Sequence, residues 1–98
     1  MKLPIILHRL AQRELDLAVD WYEDRRRGLG ERFNNRVLDV MSRISDNPYA
    51  FAESEDRVRE ARVPRFPYCI YFRVESERIQ VVSVFHTSRD PESWKNRT

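Results

Sequence analysis

Two apolar stripes of helical period, laid end to end and parted at Gly28, constrain this chain more than any other feature. Ala11, Leu15, Ala18, Val19 and Tyr22 fall at i, i+4, i+7, i+8 and i+11; Leu29, Phe33, Val37, Val40, Met41 and Ile44 repeat the stripe. Arg13, Asp16, Asp20, Glu23 and Asp24 take the far side of the first helix as a solvated face. Gly28 is expected to end that helix in the left-handed conformation, with Arg25, Arg26 and Arg27 answering the negative end of its dipole. The second helix stops at Ser45-Asp46-Asn47-Pro48, because a residue before proline avoids the helical region. So short a link makes an antiparallel hairpin. Neither helix is stable alone, so the rest of the chain must cover both stripes.

Strands supply the cover. Lys2–His8, with Ile5, Ile6 and Leu7, reads as a short strand that Pro4 places at an edge or at its own start. After a loop over residues 49–56, Arg57–Val63 reads as a strand and Pro64–Pro67 as a turn. Tyr68–Val74 is aromatic and β-branched, Glu75–Arg78 is a hairpin turn, and Ile79–His86 is the partner strand. Asp90 and Pro91 fit the cap and first position of a helical turn that includes Trp94. The predicted fold is α+β: a helical hairpin on an antiparallel sheet, in the order β-α-α-β-β-β with a short C-terminal turn, one domain over residues 1–98.

Strict alternation puts Tyr68, Ile70, Phe72 and Val74 on one face of their strand and Cys69, Tyr71 and Arg73 on the other. In the next strand it groups Ile79, Val81, Ser83 and Phe85 against Gln80, Val82, Val84 and His86. Both faces are partly apolar, yet the hairpin covers only one. The other is therefore expected to offer apolar surface to a second chain.

Composition narrows the setting. No apolar run approaches the length of a membrane span, and Leu3–Leu7 is too short for a signal-peptide core. The single cysteine, Cys69, cannot pair within the chain, so a reducing cytoplasm is the expected compartment. Of the 18 basic residues only Lys2 and Lys95 are lysines. Arginine's planar fork suits carboxylates and phosphates, although a genomic codon bias gives the same count. Residues 1–56 carry 9 basic and 11 acidic side chains, and residues 57–98 carry 9 and 5, which points to an anionic partner for the C-terminal half.

An ordered set of residues runs through most of the chain: Glu14-Leu15, Trp21-Tyr22, Gly28-Leu29-Gly30-Glu31-Arg32-Phe33, Asn47-Pro48, Arg59, Arg65-Phe66-Pro67-Tyr68, Ile70 to Val74, Val84-Phe85-His86, Arg89-Asp90-Pro91 and Trp94. In this the sequence resembles the RelE/ParE superfamily of type II toxin–antitoxin toxins, and within it the ParE-like branch of plasmid stabilisation proteins. The resemblance implies a growth-inhibiting toxin in a hetero-oligomer with a cognate antitoxin, whose C-terminal segment wraps it. ParE-like members poison DNA gyrase; RelE-like members cut mRNA on the ribosome. Cutting RNA needs a base, an acid and cations for the developing phosphorane charge. RelE-like enzymes set an arginine after the strand tyrosine, where this chain has Cys69 after Tyr68, and a lysine pair on the preceding strand, where Arg57–Val63 has only arginines. Arginine, with a pKa above ~12, is a poor proton shuttle.

The expected function is thus a toxin that grips DNA gyrase without doing chemistry itself. The alternatives are a ribosome-dependent mRNA endonuclease and a non-toxic antitoxin-binding co-repressor. Candidate target- or antitoxin-binding residues are Arg59, Arg62, Arg65, Arg73, Arg89 and Trp94; if there is catalysis, His86, Arg65, Arg73 and Arg89 are its candidates. His86 also suits a structural strand end, Trp94 a packed position on the sheet, and Trp21 a partly buried shoulder beside Tyr22. His8 and His86 form no ligand spacing, so neither metal nor cofactor is expected. The antitoxin is expected to be acidic and amphipathic, seated on the hairpin groove and the open sheet face.

Overall fold

The computed structural model describes residues 2–90 and 92–97; Pro91, expected to open the C-terminal turn, lies outside the described residues. Strand β1 (Ile5–Leu7) leads into helices α1 (Arg9–Arg25) and α2 (Leu29–Asp46). Strands β2 (Val58–Val63), β3 (Tyr68–Val74) and β4 (Ile79–His86) follow, then a four-residue helix α3 (Glu92–Lys95). The sheet order is β1-β4-β3-β2. Strands β2, β3 and β4 are antiparallel as expected, whereas β1 joins the β4 edge in parallel, with Ile5 opposite Ile79 and Leu7 opposite Val81. Pro4 precedes that strand, and its carbonyl accepts the Ile79 N–H at 2.8 Å.

The hairpin turn differs from the expectation in its chemistry. Arg26 is the extended cap of α1, and left-handed Gly28 (φ 86°) instead caps the start of α2. Glu23, expected on a solvated face, turns back there: its two carboxylate oxygens accept the N–H groups of Gly28 at 2.8 Å and Gly30 at 3.0 Å. These are orphan donors of a helix N-terminus, and the bonds hold the Glu23 carboxyl below its ordinary value. Gly30 is required by proximity, since a Cβ there would stand 2.5 Å from the Val19 carbonyl of α1. The helices cross close because one of them has no side chain at that point.

The two stripes land on one face of the sheet. Ala11, Leu15 and Ala18 of α1 and Phe33, Val37, Val40, Met41 and Ile44 of α2 close over Ile70, Phe72, Ile79, Val81 and Val84. Tyr22, Phe33, Phe66 and Tyr68 pack ring to ring at the hairpin-turn end, with centroids 4.9–6.2 Å apart.

The alternation expected for β4 holds only as far as Val81. A β-bulge between Tyr71 and Phe72 of the pairing leaves Val82 without an opposite residue and shifts the phase by one. Val84 therefore joins the hairpin core, while Val82 and Phe85 face the other side. Nor is that other side left for a second chain, as the sequence led us to expect. Trp94 of α3 covers Val58, Val82 and Phe85, with its ring stacked on Tyr71 at 4.3 Å and itself 4% exposed. Residues 48–50 form a 3₁₀ turn that leads into the expected loop, and Glu53 bridges to Arg59 along the outer edge of β2.

Candidate partner-binding groove

Strand β1 covers β4 only at Ile79–Val81, and β4 continues to His86 with no strand beside it on that side among the described residues. Exposed strand edges carry unmet N–H and C=O groups. Glu14 on α1 and Arg97 near the C-terminus meet the first of them. Glu14 Oε1 accepts from the Val84 N–H (3.1 Å), the Ser83 hydroxyl (2.9 Å) and Arg97 Nη1 (2.7 Å), and Oε2 accepts from Arg97 Nη2 (3.2 Å). Arg97 Nη1 also donates to the Val82 carbonyl at 3.1 Å, and Arg73 Nη1 donates to the Arg97 carbonyl at 2.9 Å. The bulge, α1 and the C-terminal residues are thereby tied at one point. The side chains of Arg97 and Glu14 are only 11% and 15% exposed, a setting in which a charge-assisted, forked pair is strong.

Beyond Glu14 the edge opens into a groove of about 660 Å³ between α1 and the ends of β3 and β4. Leu17, Ala18, Trp21 and Tyr22 form the helix wall; Pro67, Tyr68 and Val84 form the sheet wall; His86, Ser88 and Arg89 close one end. Leu17 and Trp21 are 56% and 53% exposed, so Trp21 is far more open than the shoulder expected of it. The guanidinium of Arg25 lies 4.3 Å above the Trp21 ring, a cation–π contact. Burial pushes the Tyr22 and Tyr68 hydroxyls upward, so both rings meet the groove as neutral phenols over the physiological range.

The arginines singled out in the sequence do not converge. Arg59 is spent on its own loop: Nη1 donates to the Phe51 carbonyl at 2.7 Å, Nη2 pairs with Glu53, and the guanidinium lies over Tyr49. Arg73 holds the C-terminal residues, and Trp94 is buried on the second sheet face. Arg62 is exposed on β2 opposite Cys69. Arg65 is exposed and left-handed (φ 71°) in the turn between Pro64 and Pro67. Only Arg89 and His86 reach the groove. The His86 Nδ1 accepts the Ser88 N–H at 3.1 Å, which uses the lone pair a neutral imidazole would need as a base. Burial raises the Cys69 thiol, so it stays protonated.

Sequence reasoning missed Glu14, Leu17 and Arg97. Leu17 carried a readable signal, an apolar residue one step off the α1 stripe; Glu14 and Arg97 lie 83 residues apart, and nothing local links them. Among the described residues no group of three or more His, Cys, Asp or Glu could hold a metal ion, and no helix is long and apolar enough to cross a membrane.

A solved structure from the chromosomal ParDE TA system of P. aeruginosa shares this fold. It superposes with a TM-score of 0.78 at 20% identity, covering 89% of this chain and 98% of that one. No curated protein sequence matches the chain. The family model described as the ParE toxin of the type II toxin-antitoxin system, parDE, matches residues 5–91, from the start of β1 to the residue before α3. With the match extending over nearly every element just described, the chain belongs to the ParE toxin family.

Proposed function

We propose that this chain is the toxin of a type II pair, that its antitoxin lies in the groove beside β4, and that the free toxin arrests growth by holding DNA gyrase. The observation that carries the non-catalytic reading is how the candidate cations are spent. Arg59 and Arg73 donate to main-chain carbonyls of this same chain, and the position after Tyr68 is a buried thiol. What remains is a surface suited to gripping. The groove offers apolar side chains for anchors and Arg89 for an acidic residue of the antitoxin. Family membership supports the antitoxin partner, and the antitoxin is expected in the same compartment, the cytoplasm.

Purified toxin added in excess to gyrase should block supercoiling and leave cell-free translation running. Normal supercoiling together with mRNA cut on ribosomes would replace this reading with the endonuclease. Harmless expression without antitoxin would leave the co-repressor. Trp21→Ala should weaken antitoxin binding by at least tenfold, as loss of an aromatic anchor does.

A further inference from the structure

The groove and the cover of the second sheet face share one side chain. Glu14 lines the groove, and its two carboxylate oxygens accept from both terminal nitrogens of Arg97, at 2.7 and 3.2 Å. Arg97 closes the strap Glu92–Arg97, which lays Trp94 on Tyr71, Val82 and Phe85. Helix α3 within that strap is about one turn long, too short to be stable by itself. Besides Glu14 and the Trp94 ring, its polar ties to the body are few. Arg97 Nη1 donates to the Val82 carbonyl, Arg73 Nη1 donates to the Arg97 carbonyl, and Lys95 pairs at 3.2 Å with the exposed carboxylate of Glu55, a kind of pair that contributes little. Two buried donors of the strap, Trp94 Nε1 and Arg97 Nε, find no hydrogen-bond partner among the described residues, which disfavours the docked state. The strap therefore stays down or opens with the Glu14–Arg97 pair.

We propose that an occupant of the groove locks the strap onto the second sheet face, with Glu14 as the link. This rests on the reading that the antitoxin, apolar and acidic, lies in that groove. Such a segment brings Glu14 no cation, so it cannot draw the carboxylate away from Arg97. It does exclude water from the side of the pair that faces the groove. Release of the strap would then leave Glu14 as a bare carboxylate beneath a partner of its own sign. A charge stripped of its counterion in a dry setting is far costlier than the same charge in water. In the free toxin water meets Glu14 when Arg97 leaves, and the strap can open. Opening of the second face is thereby a property of the free toxin, which the antitoxin restrains from the other side of the sheet. The coupling is reciprocal, so a strap that stays open weakens antitoxin binding by the same factor.

The two tryptophans report the two ends of this link. The Trp94 indole N–H is buried without an acceptor, so its exchange with solvent follows strap opening, while Trp21 stands in the groove. In NMR spectra of the isotopically labelled full chain, saturating cognate antitoxin should shift the Trp21 indole resonance. It should also slow Trp94 indole exchange at least about fivefold. In Glu14→Gln release would bury only a neutral amide, so the slowing should shrink below about twofold while Trp21 still shifts. Trp94→Ala, outside the groove, should weaken antitoxin affinity about fivefold. A shifted Trp21 with unchanged or faster Trp94 exchange would overturn the lock and leave the groove reading standing. Equal slowing in Glu14→Gln would overturn it as well, by showing that the antitoxin covers the strap directly. An unshifted Trp21 would overturn the groove reading and the lock with it.

Discussion

One face of the sheet is covered by helices of 17 and 18 residues, the other by a helix of four. On the first face closure follows from continuous apolar stripes, and Phe33, Val37 and Ile44 are fully buried. On the second, Trp94 alone supplies most of the cover, and its position depends on the hydrogen bonds of Arg73, Arg97 and Glu14 at the chain end. An apolar stripe spreads its stabilisation over many contacts, whereas a clamp concentrates it in a few polar atoms. The first face should therefore govern global stability. The second should open locally, without unfolding the molecule.

The largest effect should come from Phe33→Ala, which empties the middle of the aromatic cluster and should cost about 3–5 kcal/mol in urea unfolding. Glu14→Ala comes next. It leaves Arg97, Ser83 and the Val84 N–H without their shared acceptor and should cost about 2–3 kcal/mol, while Glu14→Gln, which retains an acceptor oxygen, should cost less. Trp94→Ala should cost about 2 kcal/mol and raise amide exchange around Val82 and Phe85 while α2 stays protected. Equal loss of protection on both faces would break the comparison, since it would make the clamp part of the global core. The smallest effect concerns pH. The Glu23 carboxyl is lowered in the fold, so its contribution is complete above the ordinary value of 4.5 and is lost as pH falls through the lower folded value. Glu23→Gln should flatten that part of the stability curve.

The helical hairpin was legible because helical period is a local property: each apolar residue of α1 and α2 announces its face within a turn or two. The role of Glu23 was not, because its partners are backbone N–H groups across the turn, which carry no side-chain signature. Strand alternation was legible in β3 and misleading in β4, where a single unpaired residue, Val82, exchanged the faces of Val84 and Phe85. Of the residues proposed for binding, Arg89 meets the groove, but Arg59, Arg73 and Trp94 hold the fold together. Composition can count such arginines; it cannot say which of them find a carbonyl.

The sequence by itself determined the helical hairpin, the three antiparallel strands and the family, since each rests on short-range pattern or on the order of residues along the chain. Only the tertiary structure decided where β4 is left open, what closes the second face, and which cations remain unpaired. Those outcomes depend on distances between residues far apart in the chain, such as Glu14 and Arg97.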